Sequence, residues 1–284
     1  MTTEQDPTAS IEARMYLDLL KKCLTRQIFD DDDFEIVPRS RSLKGRVARR
    51  AMQLLASRNL RLVRRGQTRV EDKIEGIGWP AKAETMMGVR RLDWLESTVV
   101  QIVSENIPGD FFEAGCWRGG AVIFLLGALR ALRQTGRVVW AADSFAGYPA
   151  PTASSSEADH LLWERHDYFA VSRADFEQNV ARYGLGGDAL RVLEGFFDQS
   201  IPKAPIERLA MIRIDIDGYE GVSAVLDLLY PKLSPGGFVV VDELEVAGCK
   251  RAIDEFFARN GLDKAQILPI QQKKTKAAYW RKSG

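Results

Sequence analysis

Met211-Ile-Arg-Ile-Asp215-Ile-Asp217 and Gly237-Phe-Val-Val-Val-Asp242-Glu243 are apolar, strand-length runs, and each ends in carboxylates. One helix-sized segment, Tyr219 to Leu233, separates them. A strand–helix–strand unit of this kind makes parallel neighbours in one sheet. It delivers Asp215, Asp242 and Glu243 to the same sheet edge, which is where open α/β folds bind their ligands. Carboxylates rarely tolerate such a place unless something pairs them or a cation binds them. The pattern reads as a divalent-metal site in an enzyme. Oxygen-only ligands suit magnesium. A bound metal lowers the pKa of a substrate hydroxyl, and a nearby carboxylate can take its proton. Asp217 is expected to cap the helix that begins near Tyr219.

Outward from this unit, strands alternate with helices from Asp110 onward, as in α/β proteins. The spacing predicts strands over Asp110–Cys116, Val138–Ser144, Leu190–Glu194, Leu209–Asp217 and Phe238–Glu243. It predicts helices over Gly120–Arg133, Ser172–Tyr183 and Gly248–Asn260. A terminal antiparallel hairpin is expected from Gln266–Gln271 and Ala277–Arg281. The first strand runs into Phe112-Glu113-Ala114-Gly115-Cys116-Trp117-Arg118-Gly119-Gly120. Glycines there let a ligand approach the backbone beside a helix N-terminus. The spacing E-x-G-x-x-x-G is not the G-x-G-x-x-G of pyrophosphate binders, which disfavours a dinucleotide. Asp143 closes the second strand, where an acid can accept from two ribose hydroxyls. Together these features favour an adenosine-containing cofactor.

The N-terminal third is helical in pattern. Ile11–Ile28 reads as an amphipathic helix, Ser42–Arg65 as a basic amphipathic helix, and Ala83–Glu105 as a third. The basic helix is expected to pack on the main domain or on a dimer partner rather than on an anionic membrane. Asp30–Asp33 reads as a solvated loop. The stretch from Gly147 to Ala170 reads as a long binding loop carrying His160 and His166, neither of them in a recognisable triad. A net charge of +1 argues against bulk binding to nucleic acid. Cys23, Cys116 and Cys249 lie far apart, with no disulfide or zinc spacing, as expected of a reducing cytoplasm. No run reaches the roughly 20 apolar residues of a membrane span. The polar, acidic start does not read as a signal peptide.

The assembled motifs resemble those of the macrocin O-methyltransferase (TylF/MycF-like) family. The resemblance is carried by Tyr16-Leu-Asp-Leu-Leu-Lys-Lys, Glu84-Thr-Met-Met-Gly-Val-Arg-Arg-Leu-Asp93 and Pro108-Gly-Asp-Phe-Phe-Glu-Ala-Gly-Cys-Trp-Arg-Gly-Gly120. It continues through Ala142-Asp-Ser-Phe-Ala-Gly147, Arg182-Tyr-Gly-Leu185, Ala204-Pro-Ile-Glu-Arg-Leu-Ala210 and Tyr230-Pro-Lys-Leu-Ser-Pro-Gly-Gly-Phe238.

The resemblance implies an α/β class I methyltransferase (Rossmann-like) fold. Its seven-stranded, mostly parallel sheet has an antiparallel last strand, and here residues 106–284 would form it behind a helical extension of residues 1–105. It implies magnesium-dependent methyl transfer from S-adenosylmethionine to a sugar hydroxyl of a glycoside or glycan, by a homo-oligomer. Asp215 would be both metal ligand and general base, with Asp242 and Glu243 as the other ligands. Glu113, Gly115, Asp143 and Ser144 would line the cofactor site. Gly195 and Phe197 would contact the adenine, and Met86 would close over the cofactor. The sequence departs from the family at Asp242-Glu243-Leu244, where Asp-Asp-Tyr is usual, at Ile214-Asp-Ile-Asp217, where Leu-Asp-Gly-Asp is frequent, and at Glu113-Ala-Gly115, where Glu-Thr-Gly is usual. Two rival readings are a glycosyltransferase using Asp215-Ile-Asp217 as a DxD metal–diphosphate motif, and a membrane-associated module built on Ser42–Arg65.

Overall fold

The computed structural model describes residues 10–29, 33–35, 42–60, 62–66, 68–150, 160–161, 163–271 and 276–284. The N-terminal third holds α1 (Ile11–Leu24), β1 (Asp33–Glu35), α2 (Leu43–Ala56), β2 (Val63–Arg65), α3 (Val70–Glu75) and α4 (Val89–Ser104). Then follow β3 (Asp110–Ala114), α5 (Gly120–Ala131), β4 (Val139–Asp143), α6 (His166–Phe169), α7 (Arg173–Arg182), β5 (Leu190–Glu194) and α8 (Phe197–Ser200). The chain ends with β6 (Leu209–Ile214), α9 (Tyr219–Leu229), β7 (Leu233–Val241), α10 (Ala247–Asn260), β8 (Leu268–Ile270) and β9 (Ala277–Arg281).

β3 to β9 form one seven-stranded sheet in the order β5-β4-β3-β6-β7-β9-β8. The pairs among the first five are parallel, and β9 runs antiparallel to both β7 and β8. The order reverses at β3, whose neighbours are β4 and β6. That switch point opens a crevice at the C-terminal strand ends.

Both faces of the sheet are covered, which explains why its strands read as continuous apolar runs. On one face, Phe111, Met211, Phe238 and Val240 pack with Phe124 of α5, Leu95 and Val99 of α4, and Leu17, Leu20 and Leu24 of α1. On the other, Phe112, Ile212, Ile214, Val239 and Val241 pack with Val222 and Leu226 of α9 and Phe256 and Phe257 of α10. The strand period of two assigns each residue to a face. Glu113 and Arg213 are register partners in the α1/α4/α5 layer, which is otherwise apolar, and Asp215 and Asp242 follow on the same parity.

Several expected boundaries shift. The helix foreseen over Ser42–Arg65 is α2 followed by β2, which pairs with β1. Asp33, expected in a solvated loop, opens β1, while Asp30 to Asp32 lie outside the described residues. The apolar stripe of α2 is not buried by this chain: Leu43, Val47 and Leu54 are all more than half exposed. The helix expected from Ala83 begins only at Val89, and α3 was not anticipated. Residues 83–88 instead bridge two elements. Glu84 O accepts from Gly120 N at 2.9 Å, and Gly88 lies so close to α3 that a Cβ there would stand 2.3 Å from Gly76 N. Of the Gly147–Ala170 stretch, residues 151–159 and 162 lie outside the described residues.

Because α1 belongs to the main core, Leu17→Ala is expected to cost about 2–5 kcal/mol, read as a lowered urea midpoint in a single transition. An unchanged midpoint would show that α1 is a dispensable appendage.

Candidate active site

The turn after β3 is built by close backbone approach. Gly115 has φ +85°, and a Cβ there would stand 2.3 Å from the carbonyl oxygen of Asp215. The β3 and β6 tips therefore touch, and only glycine fits between them. Asp143 anchors the same turn from β4. Its Oδ2 accepts from Cys116 N at 2.7 Å and Trp117 N at 3.1 Å, and its Oδ1 accepts from Phe145 N at 3.0 Å. Its bonds to Cys116 N and Trp117 N hold the glycine turn in shape. Ser144 Oγ donates to Gly147 O at 2.6 Å and accepts from Ala146 N, closing the next turn. Gly195 N donates to Asp143 O at 3.0 Å, and the Phe197 ring lies against Gly221 of α9. Met86 is half-buried, inside the segment that bonds the start of α5.

Beneath the strand tips sits a charge cluster centred on Arg213. This side chain is 2% exposed. Its Nη1 donates to Glu113 Oε1 and its Nη2 to Asp242 Oδ2, both in close ion pairs. Nη2 also lies 3.2 Å from Asp215 Oδ2 and 3.0 Å from Met87 Sδ. A second guanidinium, Arg91 of α4, donates to Asp242 Oδ2 at 2.7 Å and stands 4.0 Å from Glu243 Oε1. Glu113 Oε2 is buried without a hydrogen-bond partner.

The electrostatics separate the acids by role. Burial alone would raise Asp242, but Arg213 and Arg91 overcome it and hold its carboxyl below the ordinary aspartate value. Glu113 is pushed well up by complete burial, with Arg213 opposing. Asp215 has 39% of its side chain open to water yet is hemmed in by protein. That enclosure raises it to about 6, with Arg213 pulling down and Asp242 pushing up. Enclosure, followed by the charges of Asp215 and Asp242, lifts Glu243 to about 8.

Asp217 does not cap α9. The N-cap there is Gly218, with no side-chain bond, and Asp217 Oδ2 instead accepts from Tyr148 Oη at 2.7 Å. His166 Nδ1 lies 2.7 Å from Trp163 O, with its ring stacked on that indole, and its Nε2 lies 2.9 Å from Asp167 Oδ1. Arg213, Arg91 and Tyr148 escaped the sequence reading. Arg213 had a signal, since a lone charge inside Met211-Ile-Arg-Ile must be paired on burial. Arg91 had none, because its partner is 151 residues away.

The acids that sequence reading assigned to magnesium fit that ion in donor type, being oxygen-only. They fit in charge too, because Asp242 raises Asp215, and Asp215 and Asp242 raise Glu243, with Arg213 and Arg91 opposing. Their placement is less complete. Among the described residues, no three Asp, Glu, His or Cys side chains converge on one point, and Asp242 Oδ2 is turned to the two arginines.

Known proteins place this geometry. The family model described as Macrocin-O-methyltransferase (TylF) matches residues 13–282. The 8-demethyl-8-(2,3-dimethoxy-alpha-L-rhamnosyl)-tetracenomycin-C 4'-O-methyltransferase of Streptomyces olivaceus is 36% identical, over 94% of this chain and 92% of its own. The mycinamicin III 3''-O-methyltransferase of Micromonospora griseorubida is 35% identical, over 98% of this chain and 99% of its own. The solved structure of the O-methyltransferase NovP superposes with a TM-score of 0.79 at 32% identity, covering 96% of this chain and all of that one. The chain belongs to the macrocin O-methyltransferase family, and it is an S-adenosylmethionine-dependent O-methyltransferase with the class I fold. The glycosyltransferase reading of Asp215-Ile-Asp217 is not favoured by this membership.

Removing Arg213 would leave buried carboxylates without compensation. Arg213→Met is expected to destabilise the fold by about 3–5 kcal/mol, measured by denaturant unfolding. A loss under about 1 kcal/mol would show that the cluster does not hold the sheet edge.

Proposed function

We propose that this methyltransferase acts on a sugar hydroxyl of a natural-product glycoside and that it depends on magnesium. The reading rests on one observation above all: Asp215 is the acid that is both open to solvent and in contact with the glycine turn. Its carbonyl oxygen limits Gly115, and its carboxylate faces the cleft under the hold of Arg213. The relatives' own acceptors, a rhamnosyl tetracenomycin and mycinamicin III, support a glycoside as the substrate class.

In this reading the cofactor lies along the β3 and β4 tips, against Gly115, Asp143, Ser144, Gly195 and Phe197, with Met86 over it. Glu113 supports the turn from beneath. The acceptor oxygen attacks the sulfonium methyl in line: an O–C bond forms, the S–C bond breaks, and S-adenosylhomocysteine leaves. Asp215 takes the hydroxyl proton as general base. Asp215, Asp242 and Glu243 would hold the magnesium, which supplies a Lewis acid that lowers the hydroxyl's pKa. Arg213 keeps Asp215 and Asp242 from swinging away, and such positioning contributes much of the rate.

Residues 1–105 act as the extension that covers cofactor and acceptor. A groove of about 670 Å³ between α2 and residues 164–171 supports a part for both segments in acceptor binding, although the three acids do not line it. The exposed apolar residues Met15, Leu19, Leu43 and Val47 support a homo-oligomer. Cytoplasmic action is part of the same reading, supported by three free cysteines among the described residues. None of the described helices is long and apolar enough to cross a membrane.

Labelled S-adenosylmethionine, screened against rhamnosides and other antibiotic glycosides with and without magnesium, tests the function. Methyl transfer to a glycoside that stops on chelation and returns with Mg²⁺ is the expected result. Transfer only to acceptors lacking a sugar would overturn the substrate class, and activity indifferent to chelation would overturn the metal. Asp215→Asn is expected to lower kcat by roughly 10²–10⁴-fold while S-adenosylhomocysteine binding by calorimetry changes little. Turnover close to wild type would remove Asp215 from the role of base.

A further inference from the structure

Arg91 is the one charged side chain that the N-terminal segment sends into the acid cluster among the contacts described above. It stands in the first turn of α4 and is 8% exposed. Its Nη1 is 2.7 Å from Asp242 Oδ2 and 4.0 Å from Glu243 Oε1. Asp242 Oδ2 is shared with Arg213 Nη2. Two guanidiniums thus meet on one oxygen of a carboxylate that the proposed function assigns to a metal. Arg213 is committed to its place, being wholly buried and also paired with Glu113 and Asp215. Arg91 enters instead from the segment that also bonds the start of α5 through Glu84 O.

We propose that Arg91 is a positioning residue that competes with the divalent cation for Asp242 and Glu243, and so sets how tightly the enzyme holds its metal. The inference rests on the magnesium reading above. A guanidinium within ion-pair reach of two of the three acids places positive charge where the ion must sit, and like charges oppose at this range. It also fixes Oδ2 of Asp242, so an incoming ion must use the other oxygen or displace the guanidinium. Glu243 has the longer side chain and, among the contacts of the described residues, meets Arg91 at 4.0 Å, so it is the acid with most room to swing toward an ion.

The test is Mn²⁺ binding to the full chain in the presence of S-adenosylhomocysteine, followed by titration calorimetry. Arg91→Gln removes the competing charge and is expected to bind Mn²⁺ roughly tenfold tighter than wild type. Arg91→Lys keeps the charge but loses the planar fork, and its affinity is expected to fall between the two. A merely structural role would move affinity the other way, because a damaged site binds metal more weakly. Circular-dichroism melting identifies a variant that fails to fold, and the remaining one then carries the test. If wild type binds Mn²⁺ and the folded variants bind it equally or more weakly, the competition is overturned while the magnesium reading stands. If no form binds Mn²⁺, the magnesium reading fails and takes this inference with it.

Discussion

The hydrogen bonds of Arg213 tie the catalytic edge of this molecule together. The side chain occupies a position that the strand period assigns to an apolar layer, and it is buried there. A guanidinium cannot be deprotonated to escape the cost of burial, so it must be surrounded by acids. Glu113 from β3, Asp242 from β7 and Asp215 from its own strand provide them. Three adjacent strands are thereby locked in register at the ends where ligands bind. Arg213 holds Asp215 and Asp242 in place while leaving Asp215 open to the cleft.

The neighbouring features follow from that fixed edge. Since β3 and β6 meet at the Asp215 carbonyl, the β3 turn has room only for glycine, and Asp143 completes it by bonding three backbone N–H groups. The N-terminal segment closes over the same place. Met87 Sδ lies 3.0 Å from Arg213, Arg91 reaches Asp242, and Glu84 O bonds the start of α5. The extension is therefore part of the charge cluster's electrostatics. Tyr148 adds the last wall by bonding Asp217, so the acid that departs from the expected cap instead secures the turn after β4.

The succession of strands and helices from Asp110 onward was legible in the sequence because apolar runs of strand length alternate with helical periods. Leu190–Glu194 matches residue for residue, and the terminal hairpin appears as β8 and β9. Asp215, Asp242 and Glu243 were legible as a trio because acids closing apolar strands demand a partner. What could not be read was the partner's identity. Arg91 meets Asp242 across 151 positions, and no local pattern encodes that contact. The non-helical run 83–88 was also hidden, because its apolar spacing continues into α4, while its contacts to Gly76 and Gly120 leave no mark in that spacing. Asp217 was assigned by local rule to a helix cap, and a long-range contact to Tyr148 takes its carboxylate instead.

We propose that the Arg213 network holds Asp215 and Asp242, with Glu243 beside them, where a divalent cation would bind facing the cofactor. Anomalous diffraction from crystals grown with Mn²⁺ and S-adenosylhomocysteine tests it directly. A single strong peak is expected, bonded by oxygens of those three side chains and facing the cofactor sulfur across the cleft, with Arg213 still paired to Glu113. A bound cofactor with no peak at that edge, or with the ion held by other residues, would contradict the claim.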